Sequence, residues 1–144
     1  ASLKVPYIAM HMQGLPETMQ NSPQYNDVTK EVVDYLRDKA DECRNAGIAD
    51  IIVDPGFGFG KTQPHNYELL RNMHALRIIG KPILAGLSRK GMIWRTLGTS
   101  PDEALNGTTA LHMVALQQGA NILRVHDVKE AMEVIRLYHI LYNH

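Results

Sequence analysis

Cysteine and net charge are what this sequence lacks most clearly. Cys43 is the single cysteine among 144 residues, which excludes an internal disulfide and a cysteine-rich zinc site. The 15 basic and 15 acidic side chains cancel, so no excess of positive charge is present to neutralise the phosphates of a nucleic acid. We therefore expect no nucleic acid partner, although a local cluster of cations can still bind one small anion.

Long apolar segments are also missing. No run approaches the ~18 to 20 apolar residues that a membrane span needs, and residues 1–7 lack the long apolar core of a signal peptide. We therefore expect no membrane association and a cytoplasmic location. Hydrophobic residues make up 44% of the chain and charged residues 21%, which is typical of a globular domain and not of a disordered chain.

Short apolar runs and the segments between them predict alternating strands and helices. The strand candidates, each rich in Ile, Val or Leu, are residues 5–10, 51–53, 82–85 and 121–125. The helix candidates that follow them are residues 27–46, 65–79, 100–119 and 128 to about 142. The third helix has a strong start, because Ser100 can cap it, Pro101 suits its first position and Glu103 completes a capping box.

This βαβαβαβα order predicts an α/β fold with a parallel sheet and right-handed crossovers. The runs are continuously apolar rather than alternating, which indicates strands buried on both faces. Four such units are half of a TIM (β/α)8 barrel, which needs roughly 250 residues. A small open doubly wound sheet is the alternative, and length alone does not separate the two.

Polar loops follow all four strand candidates, at residues 11–14, 54–62, 88–90 and 124–127. Both architectures place the ligand site at the C-terminal ends of the strands. We therefore expect the four loops to share one site.

The loop of residues 54–62 holds three glycines, two phenylalanines and one lysine. Glycines let the backbone approach a ligand closely, and two aromatics in a loop are poorly placed for burial unless something flat or apolar covers them. Gly60-Lys61-Thr62 is similar to the end of a phosphate-binding P-loop, but three residues separate Gly56 from Gly60 where that motif requires four. A nucleoside triphosphate site is therefore disfavoured, and a tight turn with packed aromatics is the alternative.

Charged residues at two strand ends are candidates for ligand contact. Asp54 ends an apolar strand, where it can cap the following turn or accept two parallel N–H bonds from the amidine-like edge of a ligand. Arg89 and Lys90 open a helix, where the helix dipole disfavours a cation. Structure alone gives little reason for a cation there, which favours a ligand role.

The last loop carries a second cationic pair. Arg124 and His126 lie two residues apart, so both can face the same side. Arg suits an oxyanion or stacks on a flat ring, and His adds a second donor. The alternative is a local ion pair between Arg124 and Asp127.

Together, these loops resemble the signature of the dihydropteroate synthase family. The matching segments are residues 10–20, 54–61, 88–90 and 124–128. A single tetrapeptide would be weak support, but four motifs in the family's order and spacing are highly specific. The match extends over essentially the whole chain.

The resemblance implies a single partial domain, residues 1–144, which forms the C-terminal half of a pterin-binding TIM barrel, strands five to eight. The implied reaction joins p-aminobenzoate to 6-hydroxymethyl-7,8-dihydropterin pyrophosphate, yielding dihydropteroate and pyrophosphate in folate synthesis. The family is a sulfonamide target, is dimeric through its late helices, and uses Mg²⁺. The Mg²⁺ ligand is expected from the missing N-terminal half, with no metal ligand in this chain.

The resemblance also assigns residues to the parts of the ligands. The pterin-binding residues are Asp54, Lys90, Arg124, Met10 and Gly58. The pyrophosphate-binding residues are Arg124 and His126, and the p-aminobenzoate-binding residues are Phe59, Lys61 and Gly91. Gly91 departs from the family pattern, because many members have a serine there that contacts the p-aminobenzoate carboxylate. A backbone N–H could substitute for that hydroxyl.

The missing half of the family's barrel supplies further pterin-binding groups and two mobile loops, so we expect the isolated chain to be inactive. The apolar edges at residues 5–10 and 121–125 would be unpaired, which predicts self-association. Two other functions stay open: the pterin-binding domain of a methyltetrahydrofolate methyltransferase, and a non-catalytic fragment that binds a pterin or an anion.

Overall fold

The computed structural model describes residues 1–14 and 23–142, in which short parallel strands alternate with helices. The strands are β1 (Tyr7–Met10), β2 (Ile51–Asp54), β3 (Leu84–Ala85) and β4 (Ile122–Leu123). The helices are α1 (Val28–Asn45), α2 (Gln63–Arg71), a 3₁₀ helix (Met73–Ile79), α3 (Gly91–Leu97), α4 (Leu105–Gln117) and α5 (Val128–Tyr142). The predicted mixed α/β order is confirmed, with β3 and β4 shorter than their apolar runs. Residues 15–20 of the first family motif lie outside the described residues.

The strands form two parallel pairs that a single bridge connects. β1 pairs with β2, which places Met10 opposite Asp54, and β3 pairs with β4. A parallel bridge joins Val53 to Ile83, and the Val53 N–H donates to the carbonyl of Pro82 at 2.9 Å. The order β1-β2-β3-β4 therefore follows the chain, and all four C-terminal ends face the same way.

Helix α1 follows the predicted pattern closely. Asp27 caps its start by accepting a 2.9 Å hydrogen bond from the Lys30 N–H. Its buried stripe, spaced as one helix face requires, is Val28, Val32, Leu36, Ala40 and Cys43. Helix α1 then ends before Gly47, whose positive φ of 81° suits a reversal of the chain.

The prediction of one helix over residues 65–79 is wrong, because the chain changes helix type at Asn72. Helix α2 begins two residues earlier, where the Thr62 hydroxyl caps it, and ends at Arg71. The 3₁₀ helix that follows has three residues per turn. This period places Met73, Leu76 and Ile79 on one face towards the core. The apolar spacing of three explains the tighter helix.

The predicted helix start at Ser100 is also wrong, since α4 begins at Leu105. Half of the capping box forms, because the Glu103 carboxylate accepts hydrogen bonds from the Ser100 N–H and hydroxyl at 3.1 and 2.9 Å. The carbonyls of Pro101 and Asp102, however, accept bonds from the Arg89 guanidinium. These contacts hold the segment as a separate turn.

The shorter helix α3 precedes that turn. Lys90 is the N-cap residue of α3, as expected of a residue that opens a helix.

Of the two interpretations of the 54–62 loop, the tight turn with packed aromatics holds for Phe57. Its side chain is fully buried in the main core, in the same cluster as Val53 and Ile83. Gly56 and Gly58 flank it with φ of 69° and 82°, a backbone conformation that glycine adopts without strain. The reversal turns Phe57 inward while Phe59 stays partly exposed.

Two edges of the described fold expose apolar side chains. About half of the Tyr7 and Ile8 side chains in β1 is exposed, and Leu137 and Ile140 on α5 are more exposed still. Self-association through the strand edges at residues 5–10 and 121–125 stays a prediction. None of the helices in residues 1–14 and 23–142 is long and apolar enough to cross a membrane.

The two phenylalanines of the loop give a matched test of this packing. We expect Phe57→Ala to lower the free energy of unfolding by about 3–5 kcal/mol, because it empties a buried site. Phe59→Ala removes the same atoms from a partly exposed site and should cost clearly less. Urea unfolding of both variants measures the difference, and equal losses would contradict the burial of Phe57.

Candidate functional site

Asp54 is the buried charge around which the site is built. It is the last residue of β2 and only 2% exposed. One carboxylate oxygen accepts a 2.8 Å hydrogen bond from the Gly56 N–H, so the side chain caps the turn. The other oxygen lies 3.3 Å from Nη2 of Arg124. Burial raises the pKa of Asp54, and the Gly56 N–H and the Arg124 charge oppose that rise.

Arg124 reaches Asp54 because Gly86 has no side chain. A Cβ at Gly86 would lie 2.5 Å from Nη2 and 2.9 Å from Nε of Arg124, so the guanidinium lies flat against this glycine. The Arg124 side chain is still 54% exposed. The alternative ion pair with Asp127 is wrong, because Asp127 pairs with Arg89 at 2.8 Å.

Lys90 approaches the same point from the β3 side. Its Nζ lies 4.5 Å from the centre of the Phe59 ring, a cation–π distance. Gly58 lies beside it, because a Cβ there would lie 3.5 Å from Cδ of Lys90, an ordinary contact distance. Burial, and then the nearby Arg124 charge, lowers the pKa of Lys90.

These side chains border one cavity at the C-terminal ends of β3 and β4. Its volume is about 200 Å³, and it is lined by Gly86, Ser88, Lys90, Arg124, Val125 and His126. Asp54 lies beside it, in contact with Arg124, and Met10 is opposite Asp54 in the sheet. The structure therefore brings Asp54, Lys90 and Arg124 to one face, with Phe59 and Gly58 beside Lys90. Gly91 is the first residue of α3, directly after Lys90.

Arg89 makes structural contacts with other residues and does not line the cavity. Its guanidinium donates to both carboxylate oxygens of Asp127, at 2.9 and 2.8 Å, and to the carbonyls of the 101–102 turn. Its φ of 52° is unusual for a residue other than glycine, and its N–H donates to the Thr108 hydroxyl at 3.0 Å. This turn places the neighbouring Ser88 and Lys90 in the lining of the cavity.

Lys61 lies inside the protein rather than on a surface. Only 3% of it is exposed, and its ammonium lies 2.9 Å from Nδ1 of His11 and donates to the carbonyls of Gly56 and Phe59. Burial, and then the charge on Lys61, lowers the pKa of His11 to about 4. The assignment of Lys61 to p-aminobenzoate stays a prediction, and that contact would require the ammonium to leave these three partners.

Several contributors to the site carry no local sequence signal. Asn66 lies within α2 and holds the 54–62 loop by two hydrogen bonds. Its side-chain oxygen accepts from the Gly58 N–H at 2.7 Å, and its amide donates to the Thr62 carbonyl. Gly86 is one glycine among many, and Ser88 belongs to a motif whose charged members draw attention first. Only the fold places these residues next to the charged groups.

The residues described here do not fit a magnesium site. Within residues 1–14 and 23–142, no group of three or more His, Cys, Asp or Glu side chains could hold a metal ion. Asp54 is the carboxylate at the cavity, and its two oxygens are held by Gly56 and Arg124. Mg²⁺ prefers several oxygen ligands in octahedral geometry, which this arrangement does not supply.

The fold and the site define an α/β protein with a cationic cavity beside a buried carboxylate at the ends of parallel strands. The chain belongs to the family of pterin-binding enzymes, because that family's model, described as "Pterin binding enzyme", matches residues 1–126. It is 46% identical to dihydropteroate synthase of Escherichia coli strain K12 over 139 residues, which cover 95% of this chain and 49% of that protein.

Solved structures of the same kind superpose closely. Yersinia pestis dihydropteroate synthase, solved with a sulfonamide drug, is 40% identical with a TM-score of 0.95, over 98% of this chain and 52% of that one. Thermus thermophilus dihydropteroate synthase is 38% identical and has been solved with two ligands. The structure with 6HMPPP has a TM-score of 0.95 over 99% of this chain, and the structure with 4-aminobenzoate has a TM-score of 0.92 over 97% of it. Each match covers 58% of the solved chain. The chain thus spans about half the length of its relatives.

Buried Lys61 should make the stability of the protein rise with pH. Burial lowers the pKa of Lys61 from its usual value of 10.5 to about 7 in the folded protein. Between these values the unfolded chain binds a proton that the folded protein does not, so the free energy of unfolding increases with pH. From pH 7 to 9 we expect a gain of roughly 2 kcal/mol from this group, measured by urea unfolding.

Two variants separate Lys61 from the other titrating groups. Lys61→Met should abolish this part of the rise, because it removes the group whose pKa changes on folding. Lys129→Met removes a lysine whose side chain is 82% exposed and should retain the rise. The same pH dependence in Lys61→Met as in the parent chain would contradict the burial of the ammonium.

Proposed function

We propose that the chain is the C-terminal half of a dihydropteroate synthase. The complete enzyme would condense 6-hydroxymethyl-7,8-dihydropterin pyrophosphate with p-aminobenzoate, releasing pyrophosphate. The observation that supports this most directly is the convergence of Asp54, Lys90, Arg124 and His126, from three separate segments, on one side of the sheet. The similarity to dihydropteroate synthases extends over nearly the whole chain.

The pterin would bind between Asp54 and Arg124. The Asp54 carboxylate is buried and fixed by the Gly56 N–H, so one oxygen keeps its position while the other accepts from the amino-pyrimidine edge of the ring. Arg124 contacts that second oxygen by one long bond of 3.3 Å, which it can exchange for stacking on the flat ring. Lys90 would donate to a ring atom, and Met10 and the Gly58 backbone would line the slot.

Arg124 and His126 would bind the pyrophosphate. Departure of this group from the carbon attached to the pterin ring is favoured by donors that neutralise the leaving anion. The arylamine is already a nucleophile, so positioning contributes much of the remaining rate enhancement. Of the residues predicted for p-aminobenzoate, Phe59 and Gly91 flank Lys90. Lys61 would act by holding the 54–61 loop in place.

The complete protein would require a second half that this chain does not contain. We infer that β1 to β4 are the fifth to eighth strands of a TIM barrel, whose first four units would pair with the outer edges of β1 and β4. Mg²⁺ would be held by that other half, since the residues at the cavity do not fit it. A homodimer through the late helices and a cytoplasmic location belong to the same proposal.

Two alternative functions make different predictions. The pterin-binding domain of a methyltetrahydrofolate methyltransferase would bind a pterin but would not be protected by p-aminobenzoate. The Phe-Gly-Phe-Gly-Lys loop and the Ser-Arg-Lys motif favour the synthase. A non-catalytic fragment would bind a pterin or pyrophosphate without turnover even after completion with a second half.

Pyrophosphate release tests the proposed reaction. The chain alone, given both substrates and Mg²⁺, should release none above background, because half of the site is absent. A hybrid in which the chain follows the other half of the Escherichia coli enzyme should release pyrophosphate only when both substrates are present. Turnover by the isolated chain would overturn the first expectation. A folded hybrid that binds both substrates without turnover would overturn the second.

Gly86 gives a sharper test of the position of Arg124. Gly86→Ala should displace the guanidinium from Asp54 and weaken pyrophosphate binding about tenfold, the effect of losing one charged hydrogen bond. The free energy of unfolding should fall by about 1–3 kcal/mol, because the buried Asp54 oxygen loses one partner, while Gly86 itself is not in the left-handed conformation. Isothermal titration calorimetry and thermal unfolding measure the two effects.

Gly80 provides the matched control. Its φ is 66° and a Cβ there would meet nothing within 4 Å, so Gly80→Ala should cost about 1 kcal/mol of stability through backbone strain. Pyrophosphate binding should stay as in the parent chain. Unchanged binding in Gly86→Ala would contradict the assignment of Arg124 to the anion.

A further inference from the structure

Ser88 is the buried polar residue of the cavity that the reaction scheme leaves without a role. Only 3% of it is exposed. Its hydroxyl oxygen lies 2.9 Å from Nδ1 of His126 and accepts a bond from the His126 N–H at 3.3 Å. The same hydroxyl therefore contacts both the backbone and the ring of His126.

The Ser88 hydroxyl has a single proton, and its contacts determine which atom accepts the hydrogen bond from it. A backbone N–H can only donate, so Ser88 accepts that bond with one lone pair. If Nδ1 of His126 also donated, the Ser88 proton would need another acceptor. Among residues 1–14 and 23–142, Ser88 has no hydrogen-bond partner besides His126. A buried hydroxyl proton without an acceptor is costly, so the hydroxyl donates to Nδ1.

We propose that Ser88 is a positioning residue that fixes His126 as the tautomer with its proton on Nε2. Nδ1 then accepts from Ser88, and the opposite edge of the ring carries an N–H donor. His126 is exposed and lines the cavity together with Arg124 and Lys90. The donor edge is therefore the one that meets an anionic ligand.

In this tautomer the Nε2 edge of His126 carries an N–H that can donate to phosphate oxygens. A histidine with Nε2 unprotonated would present a lone pair to the anion and repel it, and a ring free to rotate would lose entropy on binding. Ser88 removes both penalties before the ligand arrives. The role in catalysis rests on the proposed function, but the tautomer itself does not.

Nitrogen NMR of the chain labelled with ¹⁵N-histidine tests the tautomer directly, at about pH 8, where histidines are ordinarily neutral. The expected spectrum has a protonated Nε2 and an unprotonated Nδ1 for His126. A proton on Nδ1 would overturn the proposal. This result does not depend on turnover or on any ligand, so it stands apart from the fate of the proposed function.

A double-mutant cycle tests whether Ser88 acts through His126. Ser88→Ala should weaken binding of inorganic pyrophosphate about fivefold, the effect of one hydrogen bond, and should have no effect in a His126→Ala background. The control Ser100→Ala removes a hydroxyl that bonds Glu103 instead and should not change binding. An equal loss from Ser88→Ala in both backgrounds would show a merely structural role and overturn the proposal.

Discussion

The contact between the buried Asp54 carboxylate and Arg124 is the constraint on which the rest of the site depends. A carboxylate that is 2% exposed is costly unless it is bonded, and here the Gly56 N–H and the guanidinium bond its two oxygens. Residues 54 and 124 lie on β2 and just after β4, so the contact holds only if the strand order is kept. The sheet therefore fixes the spacing of the charges, and Gly86 provides the space between them.

Glycines and internal polar side chains hold the loops that follow the strands. A Cβ at Gly56 or Gly60 would collide with the backbone of the 11–13 segment. The backbones of the 54–62 loop and of the 11–13 segment are therefore in direct contact. Lys61 then bonds across that junction to His11. An ammonium used in this way holds the 54–61 loop in place, at a cost in stability that appears as its lowered pKa.

Much of the fold and part of the site could be predicted because they follow from local patterns. Continuous apolar runs located the strands, the segment between the first two runs located α1, and the polar residues at strand ends located the cavity. What could not be predicted depends on distant partners. The break at Asn72 follows from packing of a three-residue apolar repeat, and the turn before α4 forms because Arg89 takes its carbonyls. Burial of Phe57 and Lys61 requires knowledge of both neighbouring loops.

A crystal structure of the chain soaked with inorganic pyrophosphate would test the central claim most directly. We predict the anion in the 200 Å³ cavity, with its oxygens between the Arg124 guanidinium and Nε2 of His126. A larger cavity of about 550 Å³ lies near the N-terminal ends of β3 and β4, and Arg77 and Lys81 are among the residues that line it. Pyrophosphate bound there, with the cavity at Arg124 empty, would contradict the account.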